Sequence, residues 1–156
     1  MDWHLSPVER FLVAGHAIWF YAAKLIWPTN LTFIYPRWHL DPADPIQLAY
    51  PIAAAMTVIV LWLARRKIGS EPVVAALLFV GTVFPALGFF DVFPMRYSFV
   101  ADHFQYLAST ALIALAVGAG VQLIRKWAPG NPNVPRALAS GLIVLLTILI
   151  CRDWFL

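Results

Sequence analysis

A chain of 156 residues that is 62% hydrophobic and only 12% charged, with a mean hydropathy of +0.76, falls outside the composition of soluble domains, about 25% of whose residues are charged. The formal net charge of +3 calls for no nucleic-acid partner, and a lone cysteine, Cys151, excludes an internal disulfide and any cysteine-based metal site. Composition predicts an integral membrane protein of the all-α class, a polytopic helical bundle with room for about five spans and almost no soluble domain.

In chain order, Ser6 and Pro7 predict the start of a first helix over about 8–27, long enough to span with some tilt. It contains Glu9, Arg10, His16 and Lys24 and is followed by no small-residue cleavage site, so it reads as a span and not as a cleaved leader. Lys24 can snorkel to the interface beside Tyr21 and Trp27. A mid-helix histidine such as His16 ordinarily bonds a neighbouring helix; its functional alternative is axial ligation of a haem or chlorophyll-type pigment.

Residues 28–45 contain Pro28, Pro36, Pro42 and Pro45, which forbid a continuous helix and predict an ordered loop. Phe33, Tyr35 and Trp38 read as an aromatic belt at the headgroups, and Arg37, His39, Asp41 and Asp44 give the loop ionic content. A second span is predicted over about 46–64, stopped by Arg65-Arg66-Lys67, and a third over about 72–90, kinked by Pro85 and Gly88. A fourth over about 104–124 ends at Arg125-Lys126, and its Gly118 and Gly120 predict close helix approach. A turn-rich connector leads to a fifth span over about 136–151.

If these spans alternate, Arg10, Arg65, Arg66, Lys67, Arg125, Lys126 and Arg136 share one face, and Arg37, Arg96 and Arg152 the other. Seven against three predicts a cytoplasmic amino terminus, an extracytoplasmic carboxyl terminus and extracytoplasmic loops 28–45 and 91–103, in a bacterial inner membrane.

The second of those loops is the most chemical part of the chain. Asp91, Arg96, Asp102 and His103 are costly so close to hydrocarbon unless they line a polar boundary. In a helix starting near Val100, Asp102, Gln105, Tyr106 and Ser109 fall at i, i+3, i+4 and i+7, a single polar stripe. Arg37 and Arg96 have the planar fork that suits a lipid phosphate, with His39, His103 and Tyr106 beside them. Asp102 is the candidate general base, and Arg96 is expected to pair with Asp91 or Asp102. No cofactor or metal is predicted; the ligand-like expectations are a bound lipid or polyprenyl phosphate, and the pigment or haem contact at His16. The partners are membrane lipids and other integral membrane subunits, with no nucleic acid.

Two blocks of residues carry a family resemblance. Trp27-Pro-Thr-Asn-Leu31 with Tyr35-Pro36, and Arg96-Tyr97-Ser98 with the run Val100-Ala-Asp-His-Phe-Gln-Tyr-Leu-Ala-Ser109, resemble the membrane domain of transmembrane-and-tetratricopeptide-repeat proteins, O-mannosyltransferase-like members of the GT-C superfamily. The resemblance covers about 11–125 and implies a polytopic helical fold and a lipid-phosphate sugar donor, with Arg96, Asp102, His103 and Tyr106 beside the donor site. Members of that family are longer, and their catalytic carboxylate lies in an amino-terminal half with no counterpart here. The expectation is therefore the later part of such a domain, acting as a non-catalytic subunit of a larger membrane complex. The alternative is half of a polyprenyl-phosphate-sugar-dependent protein glycosyltransferase whose partner chain supplies the carboxylate.

Overall fold

The computed structural model describes residues 5–29, 31–90, 97–127 and 140. Asp91, Arg96 and the expected fifth span lie outside the described residues. Every regular element among the described residues is helical. The chain divides into two compact units, Met1–Leu115 and Ala116–Leu156; all packing described below belongs to the first.

The first helix, α1, is Pro7–Ile26. Ser6 Oγ accepts the Glu9 N–H at 3.3 Å while the Glu9 carboxylate accepts the Ser6 N–H at 2.7 Å, a reciprocal cap for two otherwise unpaired donors. The helix stops before Pro28, whose ring disfavours helical geometry at Trp27 (φ −134°, ψ 85°). Leu12, Val13, Ala14, Gly15, Ala17 and Tyr21 form its buried face.

The second helix, α2, is Pro45–Ile68, capped by Asp44 Oδ1, which accepts the Ile46 N–H at 2.9 Å. Arg65, Arg66 and Lys67 occupy its last turn, where cations complement the helix dipole, and Gly69 follows at φ 91°. None of its residues is buried, and Ile52, Met56, Ile59, Val60 and Leu63 are all exposed. The third helix, α3, is Glu71–Val83, continued by a 3₁₀ turn Phe84–Ala86. This corrects the helix expected to reach residue 90. Pro85 has no N–H to continue the ladder, and Gly88 turns the chain at φ 91°. The fourth, α4, is Tyr106–Trp127, entered through a 3₁₀ turn Asp102–Gln105.

Two described stretches, Pro45–Ile68 and Asp102–Ile124, are long and apolar enough to cross a membrane. The core of the first unit joins Ala14, Ala17 and Tyr21 of α1 to Phe79 and Val83 of α3, Ala86, Leu87 and Val100 of the connection, and Ala108 of α4. Close backbone approach occurs at Gly15, where an added Cβ would sit 2.4 Å from Pro51 N. No described residue lies within 4 Å of such an atom at Gly118 or Gly120, and the expected fifth span lies outside the described residues.

Candidate functional site

Asp102 follows the extended residue Ala101 and opens the 3₁₀ turn, which carries its side chain back against the loop after α1. It is 9% exposed. Its Oδ2 accepts the Thr32 N–H at 2.7 Å and the Tyr35 hydroxyl at 2.8 Å, joining residues about seventy positions apart in sequence. A second bond supports the first: the Tyr35 N–H donates to Ser98 Oγ at 3.1 Å, and that hydroxyl donates to the Val100 carbonyl at 2.5 Å. A third contact comes from α1, whose Tyr21 hydroxyl accepts the Ala101 N–H at 3.2 Å. One carboxylate and two hydroxyls thus satisfy backbone groups of Thr32, Tyr35, Val100 and Ala101.

Beside the carboxylate opens a cavity of about 480 Å³. Asp102, Gln105, Tyr106 and Ser109 line one side of it with His103, so the stripe read from the sequence faces a common space; Lys24, Thr32 and Phe33 line the other, above apolar Leu25, Pro28 and Leu31. Lys24 donates to the Thr29 carbonyl, and its ammonium lies 5.2 Å from the centre of the Tyr35 ring. The His103 ring stacks on Phe33 with centroids 4.7 Å apart. Among the described residues, Asp102 Oδ1, His103 Nδ1 and Gln105 Oε1 are buried without a hydrogen-bond partner.

The remaining site candidates are elsewhere. The Arg37 guanidinium lies over the Phe99 ring at 4.5 Å and does not line the cavity. His39 is exposed and contributes its backbone carbonyl to Gln47 Nε2 at 3.2 Å. Tyr106 is 70% exposed at the cavity mouth. The His16 ring is stacked on Trp38 at 3.8 Å and on Tyr50 at 4.6 Å, an aromatic packing role. Asp41 and Asp44 each accept a local backbone N–H, and no three metal-ligating side chains converge among the described residues.

The sequence reading missed Thr32, Ser98 and Tyr21 as members of the site and took Tyr35 for a headgroup aromatic. Of these only Ser98, four residues before Asp102, carried a local signal, a hydroxyl in a chain with few polar groups. Comparison with known proteins adds no relative: no family model, curated protein or solved structure matches the chain.

Proposed function

We propose that this chain is a non-catalytic multi-span membrane subunit, derived from the GT-C type of membrane domain it resembles, which packs within a larger membrane complex. The supporting observation is the bonding of Asp102. Its Oδ2 is taken by Thr32 and Tyr35 of the same chain, so the carboxylate acts as a clasp between the two polar loops. The exposed Ile52, Met56, Ile59, Val60 and Leu63 of α2 supply an apolar face for lipid and neighbouring subunits. In this reading α2, α3, α4 and a further span over about 136–151 alternate across a bacterial inner membrane. Their basic ends are cytoplasmic, and the clasped loops form an extracytoplasmic cap at headgroup level.

A second reading is kept by one specific observation. The unpartnered Asp102 Oδ1, His103 Nδ1 and Gln105 Oε1 beside a cavity suit a polar headgroup, as half of a polyprenyl-phosphate-sugar-dependent glycosyltransferase would need. The two separate in a transfer assay with polyprenyl-phosphate sugar donors, run on the purified chain and on the complex it forms in mild detergent. No transfer is expected, and Asp102→Asn, which keeps an acceptor for both donors, is recovered in the same complexes as the unaltered chain. Turnover that disappears in Asp102→Asn selects the half-enzyme.

A further inference from the structure

The 20 residues of α1 are enough to cross a bilayer, yet the hydrogen bonds and close contacts that locate it fall toward one end of the other helices. Near its start, Arg10 Nη1 donates to the carbonyls of Gly88 at 2.9 Å and Phe89 at 3.2 Å, where the chain leaves α3. Val13 packs there too, 2.9 Å from where a Cβ on Gly88 would lie. At its middle, Gly15 abuts Pro51 and Trp19 Nε1 donates to the Tyr50 carbonyl at 3.0 Å, both in the first turns of α2. Near its end, Tyr21 meets Ala101, just ahead of α4. Arg10 and Tyr21 are separated by about 16 Å of helix, and both touch the one connection between α3 and α4. A helix crossing antiparallel to α2, with Tyr21 still at Ala101, would instead carry Arg10 about 16 Å along α3, away from Gly88 and Phe89.

We infer that α1 does not cross the membrane but lies in its interface, laid over the extracytoplasmic ends of α2, α3 and α4, with the lipid headgroup layer as its partner. The inference rests on the membrane-spanning reading of those three helices. It gives Glu9 and Lys24 an aqueous or headgroup surrounding, where charges in hydrocarbon would be costly, while Arg10 is held by the Gly88 and Phe89 carbonyls and His16 by its aromatic stack. It also accounts for exposed Val8, Phe11 and Ile26 on the same helix, with Trp27 just after it, the mixed surface an interfacial helix presents to lipid. The basic clusters at 65–67 and 125–126 keep their cytoplasmic side; residue 5 moves to the outside.

The test is labelling of single cysteines in a Cys151→Ser background by a membrane-impermeant maleimide, in intact and in permeabilised cells expressing the full chain. Leu5→Cys, with Ser6→Cys as a second reporter, and Pro42→Cys should label fully in intact cells, whereas labelling of Ser70→Cys should be lost until permeabilisation. Leu5→Cys and Ser6→Cys on the side of Ser70→Cys, opposite Pro42→Cys, overturn the inference while leaving α2 a span. Leu5→Cys and Pro42→Cys together inside, with Ser70→Cys outside, reverse the proposed orientation but keep α1 in the plane. Pro42→Cys and Ser70→Cys on one side remove the spanning reading and the inference with it.

Discussion

Gly15→Ala is expected to destabilise the protein by about 3 kcal/mol, a drop in melting temperature on the order of 10 °C for a chain of this size. The new methyl would lie 2.4 Å from Pro51 N, 2.5 Å from its Cδ and 2.6 Å from its Cα. Two of those atoms are backbone and the third belongs to a rigid ring, so no rotamer change relieves the overlap. The helices must separate, and separation pulls Trp19 from the Tyr50 carbonyl and His16 from the Tyr50 ring. Gly81→Ala and Gly118→Ala are the internal controls, because an added Cβ there meets no described residue within 4 Å. Both should be neutral or stabilising by up to about 1 kcal/mol, since alanine restricts the unfolded chain more than glycine does. Melting curves of the purified variants in one detergent decide the point. A Gly15→Ala curve that overlays Gly118→Ala would mean that α1 and α2 do not meet this closely.

Asp102→Ala should cost about as much, roughly 3 kcal/mol, for a different reason. It removes the Oδ2 acceptor that the Thr32 N–H and the Tyr35 hydroxyl share, leaving the Thr32 N–H its longer contact with the Tyr35 hydroxyl oxygen at 3.2 Å. Asp102→Asn keeps a carbonyl oxygen in the same place and should cost about 1 kcal/mol, because only the charge-assisted part of each bond is lost. The ratio of the two effects is the informative quantity. Equal losses would point to a requirement for the charge itself and weaken the clasp reading. In the same series Ser98→Ala should fall between them, since it releases the Tyr35 N–H but leaves Asp102 bonded.

What was legible in the sequence was local. Ser6 and Pro7 mark the start of α1 because the cap is written beside it, and Arg65-Arg66-Lys67 mark the last turn of α2, which runs through them to Ile68 and not only to the expected residue 64. The stripe from Asp102 to Ser109 was readable because helical spacing alone puts those side chains on one face. What was not legible depended on distant partners. Nothing near Tyr35 in sequence announces that its hydroxyl is bound by Asp102, and nothing near Gly15 announces Pro51. Gly118 and Gly120 are readable as candidates for close approach because small residues cluster around them, but no described residue lies within 4 Å of an added Cβ at either. Pro85 was readable as a disturbance of α3; that it ends the α-helix depends on the turn at Gly88, which Val13 of α1 covers.

The central claim, that Asp102 works by holding the two loops together, is tested most directly by a double-mutant cycle of Asp102→Ala and Tyr35→Phe, read as unfolding free energies in one detergent. A clasp predicts that the pair lose less together than the sum of the singles, with a coupling of about 1 kcal/mol or more. Coupling indistinguishable from zero, within about 0.3 kcal/mol, would contradict the claim and return Asp102 to the cavity as a residue kept for a ligand.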